Sequence, residues 1–111
     1  MITTIKQLAA RYAPDYISIR QHLHAHPELS YQEFETSRFV QSQLTELGIP
    51  FTVMAETGVV GIIEGRNPQS RIVALRADMD ALPIQEENDI PYKSKNNGIM
   101  HACGHDVHTT C

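Results

Sequence analysis

The sequence is poor in the features that mark secreted and membrane proteins. Its 111 residues include two cysteines, Cys103 and Cys111, which are too few for a disulfide framework and are typical of a reducing compartment. No apolar stretch approaches the ~20 residues that span a bilayer. The segment from Met1 to Ala10 also lacks the apolar core of a signal peptide. We therefore expect a cytoplasmic protein that does not act in a membrane.

Positive charge is also scarce. Nine Lys and Arg residues against 13 Asp and Glu residues give a net charge of -4, and the basic residues are scattered along the chain. Binding to nucleic acid needs clustered Lys and Arg to neutralise phosphates, so the charge pattern argues against such a partner. The length fits one small globular domain.

Two helices are predicted in the first half of the chain. The first ends at Pro27 and has a break near Ala13, because Pro14 lies inside the pattern. Its apolar residues recur at spacings of three and four: Ile5, Leu8, Tyr12, Tyr16, Ile19 and Leu23. The second begins at a capping box of Ser30 and Glu33 and ends at Gly48. Its apolar stripe is formed by Phe34, Val40, Leu44 and Leu47.

Strands are predicted in the second half. Alternating residues from Phe51 to Ile63 indicate a hairpin, and residues 65–68 form a turn. Residues 72–75 are a continuous apolar run, which is typical of a strand buried on both faces. Helices followed by a hairpin and a buried strand indicate an α/β or α+β sheet domain.

Four potential metal ligands lie close together near the end of the sequence: Cys103, His105, Asp106 and His108. In an extended segment Cys103 and His105 would point the same way, and both could reach one metal or a metal pair. The alternative is that Cys103 is a small buried apolar residue and that the histidines cap a helix start. A thiol nucleophile is disfavoured, because residues two apart rarely place a base against a nucleophile.

Two other groups of polar residues are candidates for the site. Asp78 and Asp80 follow the predicted buried strand, where α/β sheets place their sites, and could orient an imidazole or bind metal. They could equally cap the next turn. Three histidines, His22, His24 and His26, resemble a run of ligands, but on a helix His24 points away from the other two. We expect these three to be structural.

Three segments together carry a resemblance to a known family: residues 23–29 (LHAHPEL), 75–83 (LRADMDALP) and 100–106 (MHACGHD). They resemble the aminoacylase, hippurate hydrolase and auxin-conjugate hydrolase branch of the dinuclear metallopeptidases. The segments occur in the order of that family and span nearly the whole chain.

The resemblance implies a fold, a cofactor and a set of site residues. Cys103 and His105 fall on metal ligands of the family, and Asp78 falls on the acidic residue that supports the metal site. His108 lies in the same motif, with Val107 where glycine is common. The cofactor would be two divalent ions, zinc or manganese, which activate water against an amide carbonyl.

The resemblance also implies a longer protein. Residues 1–111 would be the N-terminal portion of a three-layer αβα catalytic domain, with the general-base glutamate, further ligands and a lid domain beyond Cys111. The full-length protein would hydrolyse N-acyl amino acids or small peptide-like amides and form a homo-oligomer. The 111-residue chain alone would be inactive. The alternative is a small non-catalytic domain that binds metal or a protein partner.

Overall fold

The computed structural model describes all 111 residues. Three helices and one two-stranded sheet follow in the order α1 (Ile2–Ala25), α2 (Phe34–Glu46), β1 (Phe51–Met54), β2 (Gly58–Gly61) and α3 (His105–Thr110). Between β2 and α3 the chain is irregular, apart from isolated bridges and turns. None of the helices combines the length and apolar character needed to cross a bilayer.

Helix α1 is one uninterrupted helix, so the predicted break near Ala13 is wrong. Pro14 lies inside it and cannot donate the helical hydrogen bond to the carbonyl of Ala10. Ala10 is exposed, so water can take the place of the missing donor and the helix continues. The predicted end is confirmed, since the helix stops at Ala25 and Pro27 follows.

The N-terminus of helix α2 is capped by a side chain that lies outside the predicted capping box, so that prediction is wrong. Neither Ser30 nor Glu33 caps the helix through its side chain. Instead, the carboxylate of Glu28 accepts hydrogen bonds from the backbone N–H groups of Glu35 and Thr36, at 3.1 and 2.6 Å. A carboxylate at a helix N-terminus satisfies free N–H groups and interacts favourably with the helix dipole.

The predicted hairpin is confirmed. Strands β1 and β2 pair antiparallel, with Phe51 opposite Gly61 and Met54 opposite Gly58. The chain leaves α2 through Gly48, whose φ of +69° suits glycine. Helix α2 packs against β2, where Leu44 and Ile49 lie beside Gly61.

The apolar run of residues 72–75 is not the buried strand that its composition predicts. It forms no strand, and Ile72, Val73 and Leu75 are 94%, 82% and 96% exposed. A strand is buried on both faces only when other strands and helices cover it. The sheet within these 111 residues consists of β1 and β2, and neither pairs with this run.

The buried interior lies at the C-terminal end of α1. Its apolar part comprises Leu23, Ala25 and Ala81. The backbone N–H of Ala81 donates to the carbonyl of Glu28 at 2.7 Å, and Leu82 and Met100 exchange two hydrogen bonds of 3.0 Å. These bonds bring the segment after residue 77 alongside the segment that leads into α3.

Candidate metal centre

Three potential metal ligands meet between the irregular segment around residue 78 and helix α3. They are Asp78, His105 and His108, and their ligand atoms all lie within 4.8 Å of one another. The two histidines are three positions apart, so α3 presents them on one face. We call Asp78, His105 and His108 the ligand triad.

A carboxylate fixes the orientation of His105. Its Nδ1 lies 2.8 Å from the carboxylate of Asp80 and 3.0 Å from the Asp80 carbonyl. Both partners can only accept, so Nδ1 carries the proton. Nε2 faces Asp78, whose carboxylate is 3.5 Å away. A carboxylate that holds one imidazole nitrogen while the other faces the ion is the usual support of a metal-binding histidine.

Asp78 is held as a carboxylate. It accepts a hydrogen bond from Nδ1 of His108 at 2.9 Å and pairs with Arg76 at 3.0 Å. The bond from His108 is the largest influence on its pKa and lowers it to about 2. Burial opposes this effect and is the second-largest influence, while a backbone hydrogen bond and the charges of His105 and Arg76 lower the pKa further. Near neutral pH the triad therefore offers an anionic oxygen and imidazole nitrogens.

One hydrogen bond and one sharp turn of the backbone position α3 next to Asp78. The hydroxyl of Thr109 donates to the backbone carbonyl of Asp78 at 2.7 Å. The helix starts from Gly104, whose φ of +88° is strained for any residue with a side chain. The sharp turn at Gly104 lets the helix begin at His105.

The turn at Gly104 also separates Cys103 from His105. The expectation that both point the same way from an extended segment is wrong, because the chain bends at Cys103 and His105 already belongs to α3. Cys103 is an exposed free thiol outside the ligand triad. Its role as a ligand stays a prediction.

His101 is a buried imidazole beside the centre. It is 5% exposed, and neither ring nitrogen has a hydrogen-bond partner. Burial lowers its pKa, although the negative charge of Asp106 acts in the opposite direction. Buried polar atoms without a partner are rare in folded proteins, and this pair of atoms fits a site that takes a further polar group or ion.

The donor chemistry of the triad fits a divalent transition metal. One carboxylate and two imidazoles suit zinc or manganese. Three protein donors also leave a coordination position open, as catalytic zinc sites do. The sequence singled out Asp78 and His105, and the structure brings them together with His108. The supporting role expected for Asp78 stays a prediction. Asp80, the other acidic residue after the apolar run, contacts Nδ1 of His105.

Comparison with known proteins finds a family model that matches the part of the chain containing this centre. Residues 74–111 match the model of Peptidase family M20/M25/M40. This stretch contains the whole ligand triad together with Asp80 and Cys103. Relatives match along most of the chain. A Synechocystis protein named as a probable hydrolase is 48% identical over 107 residues, which are 96% of this chain and 27% of that protein.

A second relative and a crystal structure also match most of the chain. An uncharacterised hydrolase of Staphylococcus epidermidis is 55% identical over 91 residues, 82% of this chain and 23% of its own length. The chain thus spans about a quarter of the curated relatives it matches. A crystal structure from Bacillus subtilis, described as a dinuclear metal-binding peptidase of the M20 family, matches with a TM-score of 0.86 and 45% identity. That match covers 91% of this chain and 29% of the other. The predicted fold, part of an α/β peptidase domain, is confirmed.

Proposed function

We propose that this chain is the N-terminal portion of the catalytic domain of a metal-dependent hydrolase of the M20 peptidase family. The observation that carries the proposal is the ligand triad, with His105 oriented by Asp80. The M20 match covers the same residues, and the Bacillus subtilis neighbour is described as a dinuclear metal-binding peptidase.

Each residue of the centre has a role in this proposal. Asp78, His105 and His108 would hold a divalent ion, and Asp80 would keep the ligating nitrogen of His105 free of its proton. Cys103 would contribute to the two-ion site that the sequence resemblance implies. A bound metal would act as a Lewis acid that polarises the amide carbonyl.

We further propose that the substrate is an N-acyl amino acid or a small peptide-like amide and that the full-length enzyme is a cytoplasmic homo-oligomer. The substrate class rests on residues 23–29, 75–83 and 100–106, which resemble the aminoacylase and hippurate hydrolase branch. The general base and the remaining ligands would come from outside residues 1–111.

A substrate screen with defined metals tests the activity. The full-length protein would be stripped of metal, reloaded with zinc or manganese, and assayed for release of amino acids from N-acetyl and N-benzoyl amino acids. We expect activity that depends on added metal and none from purified residues 1–111, which lack a general base. Metal binding without hydrolysis of any of these amides would favour a non-catalytic metal-binding domain.

The ligand role of Cys103 has its own test. In the full-length enzyme, Cys103→Ala should weaken metal binding by about 10-fold or more, and excess metal should partly restore activity. Cys111→Ala is the matched control, because Cys111 is also an exposed free thiol. Metal titrations of activity that superimpose for wild type and Cys103→Ala would rule out the role.

A further inference from the structure

A buried ionic cluster lies behind the metal centre, on the side of α3 toward α1. His24 is 3% exposed, and its ring contacts two carboxylates. Nδ1 lies 2.8 Å from the carboxylate of Asp106, and Nε2 lies 2.9 Å from that of Glu86. Carboxylate oxygens accept hydrogen bonds, so each ring nitrogen of His24 faces a buried acceptor.

Arg20 adds a cation to the cluster. Its Nε lies 3.0 Å from the carboxylate of Asp106, and its side chain is 32% exposed. His24, Glu86, Asp106 and Arg20 are the His24 cluster. Buried charges are tolerated when they are paired and their remaining lone pairs are hydrogen-bonded. Glu86 meets this condition, because it also accepts from the backbone N–H of Ser94 at 2.6 Å.

Asp106 connects the cluster to the metal centre. It lies between His105 and His108 on the six-residue helix α3 and is 2% exposed. Its carboxylate faces His24 at the end of α1, whereas the two histidines face Asp78 on the opposite side. A helix of this length is not stable by itself and takes its position from tertiary contacts.

We propose that His24 is a positioning residue of the metal centre, which holds α3 through Asp106 so that His105 and His108 face Asp78. The inference rests on the proposed metal site. Val107 on the same helix is 43% exposed, whereas Asp106 is 2% exposed and bonds His24, so Asp106 provides a buried side-chain contact between α3 and α1. Pairing with Glu86 and Asp106 also fixes the His24 ring at both nitrogens, which prevents it from following α3 if the helix rotates.

The test measures metal affinity in folded protein. In the full-length protein, the zinc dissociation constant would be measured for wild type and for the His24→Gln, Glu86→Gln, His26→Gln and Asp78→Asn variants, below every melting temperature. We expect His24→Gln to weaken binding by up to about 10-fold, the lower end of the loss for direct partners of metal ligands, because His24 acts on His105 and His108 through Asp106. Glu86→Gln should weaken it by a smaller factor. His26→Gln is the matched control, because His26 bonds only the carbonyl of His22 on its own helix.

The double variant His24→Gln/Glu86→Gln separates positioning from general stability. A glutamine amide introduced at position 24 can donate to Asp106 and accept from the second amide introduced at position 86, so the double variant should bind zinc more tightly than His24→Gln alone. An unchanged affinity in His24→Gln, with only a lower melting temperature, would overturn the proposal. If His24→Gln does not fold, an affinity of Glu86→Gln equal to wild type overturns it instead. If Asp78→Asn binds zinc as wild type does, the proposed metal site itself is wrong.

Discussion

Two regions of this molecule depart in opposite ways from what their composition suggests. One buries charged side chains, and the other exposes apolar side chains. In the His24 cluster, His24, Glu86 and Asp106 are 3%, 1% and 2% exposed, whereas the Arg20 side chain is 32% exposed. Residues 72–75 are apolar, yet Leu75 is 96% exposed. Glu86 and Asp106 both pair with His24, whereas residues 72–75 pair with no strand. Burial here follows the availability of partners more closely than hydropathy.

The largest expected effect comes from removing one partner of the buried cluster. Glu86→Ala removes the buried carboxylate that faces Nε2 of His24 at 2.9 Å, and breaking a buried ion pair from one side costs about 3–5 kcal/mol. The neighbouring Glu87 is exposed, so Glu87→Ala should change the free energy of unfolding by less than about 0.5 kcal/mol. Chemical denaturation of both variants measures the difference. Equal losses would show that the cluster does not stabilise the fold.

Acid should weaken the same region. Burial raises the pKa of Glu86, but hydrogen bonds from His24, Ser94 and Asn88 outweigh this effect and lower it from 4.5 to about 2. A carboxylate with a depressed pKa stabilises the folded state above its unfolded pKa. That contribution should be lost as the pH falls from 4.5 toward 2. Unfolding measured across this range should show a shallower pH dependence in Glu86→Ala than in wild type, and parallel curves would contradict the assignment.

The apolar run should tolerate charge in the isolated chain. Leu75→Lys is expected to change the free energy of unfolding of residues 1–111 by less than about 0.5 kcal/mol. Backbone groups without a strand partner and exposed apolar side chains both favour association with another chain. Wild-type residues 1–111 should therefore self-associate, and Leu75→Lys should reduce this association. Gln69→Lys, at an exposed polar position, is the control. Light scattering that finds only monomers of wild type over a wide concentration range would refute the expectation.

Local patterns predicted the parts of the fold that depend on neighbouring residues. The end of α1 before Pro27, the hairpin and the end of α2 near Gly48 follow from short-range rules. The start of α2 could not be found in this way, because its cap is Glu28, outside the expected four-residue box. The apolar composition of residues 72–75 indicated a strand, but burial depends on partners that composition does not specify.

The candidate site shows the same division. The residue types at Asp78 and His105 indicated metal binding. The structure, not the sequence analysis, placed His105 and His108 on one face of α3. The sequence indicated that Asp78 or Asp80 could orient an imidazole, but not that Asp80 would contact Nδ1 of His105 across 25 positions. The pairing of His24 with Asp106, 82 positions apart, likewise appears only when the chain is folded.

Direct metal binding to the ligand triad is the most decisive measurement. Zinc binding to the full-length protein would be followed by calorimetry for wild type, Asp78→Asn and Asp89→Asn. Asp78→Asn removes an anionic ligand and should weaken binding by about 10-fold or more. Asp89 is exposed and lies outside the triad, so Asp89→Asn should bind as wild type does. Superimposable isotherms for wild type and Asp78→Asn would contradict the assignment of Asp78, His105 and His108 as the metal centre.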